Sequence, residues 1–267
     1  MKALLTGSSG FLGAVILNQL KQNGWKVFTL GRRKDSTFRV NLTESFQLNS
    51  DQRFTHVIHC AGKAHVRPRT KLEEKDFFTV NVAGTEHLLN ALGKTDVLPE
   101  SFILISSVAV YGRVSGNMIS ETESLNATDP YGRSKIEEEL LVREWCNSKG
   151  IRLTILRLPL VVGKDAPGNL KAMVEGITRG RYLNISGGLA RKSMVLAADV
   201  ATLIATPGLQ PGTYNLTDRK HPSFAELSQN IAGQLGKKAP ANIPHWIAIV
   251  AAKLGDILGH KFPVNSK

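Results

Sequence analysis

The sequence predicts an α/β fold: a parallel sheet covered by helices on both faces, followed by a smaller lobe. Three observations predict it. Apolar runs of strand length alternate with helical stretches from residue 1 to about 160. A glycine turn joins the first run to the first helix, and after residue 160 the pattern breaks into short, Gly- and Pro-rich pieces.

The first strand is expected over 2–6 around Ala3-Leu4-Leu5, and Thr6-Gly7-Ser8-Ser9-Gly10-Phe11-Leu12-Gly13 follows at once. A strand, a tight glycine turn and a helix N-terminus in that order make a site for a dinucleotide diphosphate. Gly7 lets the chain turn, Gly10 lets backbone N–H groups approach phosphate, and Gly13 lets the helix pack close to the strand. Ser9, Phe11 and Leu12 complete the turn residues expected against the cofactor. Val15, Ile16 and Leu20 continue with helical spacing over 11–23, and Asn23-Gly24 ends the helix. The arrangement is that of a Rossmann-type, doubly wound sheet.

The next strands are expected over 26–30, 56–60, 101–106 and 152–157, and further helices over 73–93 and 131–148. Asp129-Pro130-Tyr131 is a helix start, with Asp129 as N-cap and Pro130 at the first helical position. Residues 1–160 are thus read as a dinucleotide-binding domain and 161–267 as a smaller substrate-binding lobe over the strand ends, with an approximate boundary and interleaving of segments allowed.

A chain of 267 residues with 42% hydrophobic content can bury a substantial core. Cys60 and Cys146 have no metal-ligand spacing and read as reduced core residues of a cytoplasmic protein; His56, His59 and His65 are not spaced as a helical metal site, so no metal is expected. No signal peptide is expected before the first strand. The segment Ile247 to Leu258 carries Lys253 and Asp256, is too short to span a bilayer, and is expected to pack on its own domain together with Trp246. A net charge of +12 and a pI near 9.8 suit a polyanionic partner. Without a basic-aromatic stripe, zinc-finger spacing or a basic tail, that partner is expected to be a dinucleotide plus a nucleotide diphosphate, not nucleic acid.

Tyr131 and Lys135 stand four apart on one helix, so their side chains emerge on one face. Ser106-Ser107 ends an apolar strand whose C-terminal edge faces the same cleft. A free phenol ionises near pH ~10 and is a poor proton carrier at neutral pH. A neighbouring ammonium stabilises the phenolate, so Tyr131 can exchange a proton with a sugar hydroxyl or carbonyl as hydride moves. Ser107 would bond the same oxygen, and Lys135 would also hold the nicotinamide ribose. The chemistry is alcohol–ketone interconversion.

The glycine turn, Asn81-Val82-Ala83-Gly84-Thr85, Ser106-Ser107-Val108-Ala109-Val110-Tyr111-Gly112, Tyr131-Gly132-Arg133-Ser134-Lys135 and Arg157-Leu158-Pro159-Leu160-Val161 occur in order. Together they resemble an extended short-chain dehydrogenase/reductase of the NAD-dependent epimerase/dehydratase family, whose members act on nucleotide sugars. His56 to Val66 and Gly168-Asn169-Leu170 are similar to the branch of UDP-hexosamine 4-epimerases and 4-ketohexose reductases. The resemblance implies Ser107, Tyr131 and Lys135 as catalytic residues. It implies cofactor contacts from the glycine turn, Cys60-Ala61-Gly62, Asn81, Tyr131, Lys135 and Leu158, substrate contacts from Ser107 and Asn169, and a possible homodimer paired through helices.

The chain departs from the family in four places. Leu30-Gly31-Arg32-Arg33 stands where NAD-using members often carry an acidic residue; an arginine fork pairs with a 2′-phosphate, so NADP is favoured over NAD. Asn41-Leu42 replaces the usual Asp-Leu and is expected to keep an adenine hydrogen bond. Arg191-Lys192 replaces the usual Arg-Asp, so either residue is expected on the substrate diphosphate. The chain stops at Lys267, where relatives run on, so a terminal segment shaping the substrate pocket is expected to be missing.

Val108 and Ala109 occupy positions where dehydratases place carboxylates, which disfavours dehydration. Epimerase and 4-ketoreductase both stay open. A non-catalytic cofactor sensor or an RNA-binding member of the superfamily is the competing class.

Overall fold

The computed structural model describes residues 1–48, 53–64, 66 and 68–247. Strand β1 (Lys2–Thr6) runs through the glycine turn into α1 (Phe11–Gln22), and β2 (Lys26–Gly31) and the two-residue β3 (Phe38–Arg39) follow. Next come β4 (His56–His59), α2 (Lys71–Phe78), α3 (Gly84–Leu92), β5 (Ser101–Ser107), α4 (Pro130–Lys149) and β6 (Arg152–Leu158). The remaining elements are β7 (Leu160–Val162), α5 (Asn169–Thr178), β8 (Asn184–Ile185), β9 (Met194–Leu196), α6 (Ala197–Ala205), β10 (Gly212–Asn215), α7 (Phe224–Gln234) and β11 (Asn242–Ile243).

Seven strands form one parallel sheet in the order β10-β6-β5-β4-β1-β2-β3. The order reverses at β1, which pairs with both β2 and β4, and a crevice for ligands opens at such a reversal. Alternation along the strands divides the core. Leu4, Val57, Phe102 and Ile155 face one side and pack with Leu88 and Leu92 of α3 and Val142 of α4. Ala3, Leu5, Ile58 and Leu156 face the other and pack with Ile16 and Leu20 of α1 and Val200 and Ile204 of α6. Two apolar faces per strand are why these runs read as nearly continuous hydrophobic sequence.

The second cluster also explains where the chain divides. One unit is Met1–Asp165 with Met194–Asp218; the other is Ala166–Ser193 with the chain from Arg219 on. The division falls near residue 165 and the segments interleave. Residues 194–218 return because β9 pairs with β7, α6 covers the sheet with Val200, Ala201 and Ile204, and β10 extends the sheet beside β6. In the second unit β8 pairs with β11, Ser228 donates to the buried Asn184 at 3.1 Å, and α7 opens with a Ser223–Glu226 capping box.

Helix α4 begins as its sequence dictates: Pro130 fills the first position and the Asp129 carboxylate accepts the Gly132 N–H at 2.9 Å. The expected helix over 73–93 is corrected. A π-helical turn over Thr79–Ala83 separates α2 from α3, and the residue it inserts turns Asn81 fully into the interior. Asp199 sits in the first turn of α6 behind the N-cap Leu196, where its charge faces the helix dipole. Trp246 is 66% exposed rather than packed. His65 and residues 248–267, including the expected packing of Ile249 and Val250, lie outside the described residues. Among the described residues no helix is long and apolar enough to cross a membrane.

Candidate active site

The glycine turn is built for close approach. Gly7 has φ +72°, and a Cβ there would lie 2.6 Å from the Ala61 nitrogen and 2.7 Å from the Cys60 carbonyl carbon. A Cβ on Gly13 would lie 2.0 Å from the Gly7 oxygen, so helix and turn touch backbone to backbone. Gly10 is different: a Cβ would meet only the Gly7 oxygen, at 3.4 Å. Gly10 is the N-cap of α1, no side chain caps this end, and the first turn holds no acidic residue. The N–H groups at Phe11 and Leu12 therefore present the positive end of the helix dipole, and these residues fit a diphosphate. Ser9 is exposed beside them.

Thr6 closes β1 and ties it to the end of β4, its hydroxyl accepting the N–H groups of Cys60 at 3.2 Å and Ala61 at 3.1 Å. Beyond Gly62, Asn81 accepts the Lys63 N–H at 2.7 Å and donates to the Lys63 carbonyl at 3.2 Å and to Ser134 at 2.9 Å. One buried amide thus joins the loop after β4 to α4. Leu158 is buried at the end of β6, in register with Ser107.

Lys135 is only 5% exposed. Its ammonium donates to the Ile105 carbonyl at 2.7 Å and pairs with the Glu138 carboxylate. Burial alone lowers a lysine pKa; Glu138, with Tyr131 and Glu139, outweighs burial and holds Lys135 above the ordinary range. Tyr131 is half-buried on the same helix, its ring 6.0 Å from that of Phe77. Ser107 accepts the Ala109 N–H at 3.1 Å, which leaves its own proton free to donate. Ser106 instead is buried and donates to Glu139 at 2.5 Å.

Glu139 and Arg157 form a doubly hydrogen-bonded pair, 2.7 Å at the closest, and Arg157 also donates to the Tyr111 hydroxyl at 2.9 Å. Tyr111 is buried in a 3₁₀ turn and donates to Asn215 at 2.7 Å, so it is an internal strut. Glu139→Ala is expected to cost about 3–5 kcal/mol by stranding a buried guanidinium. Urea unfolding of the variant measures it.

Other expected contacts are drawn into local bonds. Asn41 donates to Glu44 at 2.7 Å and accepts the Thr43 N–H at 3.3 Å, so its amide serves its own turn, while the Leu42 carbonyl accepts from His87. Arg33 bonds Asp35 at 3.1 Å; Arg32 is exposed with no side-chain bond to another described residue. In the second unit, Asn169 opens α5, and Arg191 donates to the His221 carbonyl at 2.9 Å and lies 3.4 Å from Glu226. Lys192 is exposed. Burial pushes the Cys60 and Cys146 thiols up to about 12, so both free cysteines are inert. Among the described residues no group of three or more His, Cys, Asp or Glu is arranged to hold a metal.

Sequence reasoning missed the carboxylates beneath Lys135. Glu137-Glu138-Glu139 looks like a solvated run, yet Glu138 is 0% and Glu139 1% exposed. The signal was spacing: three and four residues after Lys135 is the face that Lys135 and Tyr131 share.

A glycine-bordered switch point with a buried lysine and a tyrosine beside it defines a Rossmann-type nicotinamide-dependent enzyme. Residues 3–216 match the NAD dependent epimerase/dehydratase family, and the chain belongs to that family. It is 27% identical, over 98% of its length and 82% of the relative's, to the N-acetyl-alpha-D-glucosaminyl-diphospho-ditrans,octacis-undecaprenol 4-epimerase of Escherichia coli O157:H7. The crystal structure of Thermus thermophilus UDP-glucose 4-epimerase with NAD is similar at TM-score 0.74 and 25% identity, covering 91% of this chain and 86% of that one. A human epimerase family protein with NADPH shares the fold at TM-score 0.76 and 19% identity, over 95% and 85%. A nicotinamide dinucleotide is the cofactor of this enzyme class.

Proposed function

We propose that the chain is a 4-epimerase of a diphosphate-linked N-acetylhexosamine, UDP-linked in the first instance, with Ser107, Tyr131 and Lys135 as its catalytic groups. The observation that carries this is Lys135, buried one helical turn from Tyr131 and held by the carbonyl of Ile105, two residues before Ser107 near the carboxyl end of β5. The relatives named above, which act on N-acetylglucosaminyl diphosphate and UDP-glucose, support the sugar class. The bound nicotinamide would take up and return hydride. Tyr131 takes the proton of the sugar C4 hydroxyl and later gives it back, Ser107 donates to the same oxygen, and Lys135 supplies the positive charge that favours the phenolate. Lys192 is the better candidate for the substrate diphosphate, because Arg191 is already engaged.

The second reading, an NADPH-using 4-ketoreductase, is favoured by Arg32, whose guanidinium is exposed just after β2. A charged hydrogen bond to a 2′-phosphate contributes about 1.5–3 kcal/mol. Arg32→Ala is therefore expected to weaken NADPH binding roughly 10- to 100-fold and leave NADH binding unchanged, as titration of cofactor fluorescence would show. The function itself is tested with UDP-N-acetylglucosamine, with polyprenyl-diphosphate N-acetylglucosamine, and with a UDP-4-keto sugar plus NADPH. A C4 epimer from either of the first two supports the epimerase; a product only from the third supports the reductase; no product from any removes the substrate assignment.

A further inference from the structure

We infer that Glu138 is a positioning residue for the reaction: it anchors the Lys135 ammonium and, by offsetting its charge, sets the pH range over which Tyr131 exchanges protons. The inference rests on the proposed roles of Tyr131 and Lys135.

Glu138 is 0% exposed. A carboxylate taken out of water loses several kcal/mol of hydration and persists only where partners replace it. Here the partners are the Lys135 ammonium, the His59 Nε2 at 3.4 Å and, at 3.2 Å, the Thr85 hydroxyl, whose one proton is shared with the Asn81 carbonyl at 2.6 Å. An ammonium has three protons to donate. Lys135 donates one to the Ile105 carbonyl and turns another side to Glu138 as an ion pair, which leaves the third for the site.

The bonds behind Glu138 fix the direction of this support. Thr6 accepts two backbone N–H groups, so its own proton goes to His59 Nδ1, 2.6 Å away. Burial, and then Lys135, push the His59 pKa down to about 3, so the ring is neutral and carries its proton on Nε2. That N–H faces Thr85 at 2.8 Å and Glu138. The end of β1 is thereby linked to Lys135 through donors that add no charge. Among the described residues, the other ionisable groups facing Glu138 are these. Glu139 is neutralised by Arg157, Cys60 is a neutral thiol, and Tyr131 lies on the same helix. Burial raises the Glu138 pKa and the Lys135 ammonium opposes that rise; as the carboxylate, Glu138 offsets part of the field that Lys135 exerts on the phenol.

Glu138→Gln keeps the shape and removes the charge. An opposite charge at contact shifts a titration by about 1–3 units. Both limbs of the pH profile of kcat/KM should move to lower pH by about one unit, because the phenolate is favoured more and the ammonium less. The same shift should appear without any ligand, in the tyrosinate absorbance titration of Glu138→Gln blanked against the double variant with Tyr131→Phe, and in the NMR titration of labelled Lys135. Glu138→Met, which also removes the charge, should shift the ligand-free titrations the same way, and serves if Glu138→Gln does not fold. Ligand-free titrations that match the wild type in every folded variant would overturn the inference. An acidward shift in a protein inactive on all three sugars would uphold it while removing the proposed substrate.

Discussion

Tyr131→Phe is expected to lower kcat by roughly 10²- to 10⁴-fold, the usual worth of a positioned acid–base group. The fold should not change. Tyr131 is half-buried and makes a ring contact with Phe77, which phenylalanine preserves. Its hydroxyl has no bond to another described residue, whereas Tyr111 uses its own hydroxyl twice inside the protein. The substitution therefore separates chemistry from structure: thermal unfolding and dinucleotide affinity should match the wild type while turnover collapses. A fall in kcat accompanied by an equal fall in cofactor affinity would assign Tyr131 to binding and not to proton transfer.

Replacing the turn glycines should divide them into two kinds. Gly13→Ala puts a methyl 2.0 Å from the Gly7 oxygen and 2.7 Å from its carbonyl carbon, both backbone atoms of a turn already pressed against Ala61. Overpacking costs about 1–3 kcal/mol where side chains can yield; here the neighbour is main chain, so the variant is expected at or beyond that range and without measurable dinucleotide binding. Gly10→Ala meets one atom at 3.4 Å and has an extended backbone, φ −81° and ψ 169°, open to any residue. It should unfold with the wild type yet bind dinucleotide at least roughly tenfold more weakly, because its methyl occupies the approach of the diphosphate to the α1 N-terminus. Calorimetric melting with and without NAD and NADP reads both effects. Equal melting of the two variants would contradict this reading of the turn.

What the sequence disclosed follows from which signals are local. The run from β1 through α1 was legible because strand, glycine spacing and helical period fall within two dozen residues. The start of α4 was legible because a capping aspartate and a proline mark it. The return of residues 194–218 to the first unit was not: β9 and β10 are three and four residues long, too short for a period, and only their partners β7 and β6 define them. The π turn was hidden because Thr79–Ala83 continues a helical pattern, and the one inserted residue shows only in where Asn81 ends up.

At the site, the residues named from motifs are those whose type carries the chemistry, while their supports were invisible. Asn41 could not be seen to spend its amide on Glu44, nor Arg191 its guanidinium on His221, because both bonds depend on turn geometry. Glu138 is the instructive case. Acidity predicts exposure, and only the spacing from Lys135 argues for the interior.

The measurement that bears most directly on all of this is a crystal structure of the protein with its nicotinamide dinucleotide. The diphosphate should rest on the backbone N–H groups at Phe11 and Leu12, the third Lys135 proton should reach the nicotinamide ribose, and the Tyr131 hydroxyl should lie beside the ring with Ser107 opposite. A dinucleotide bound elsewhere, or a Tyr131 hydroxyl turned away from the ring, would contradict the account.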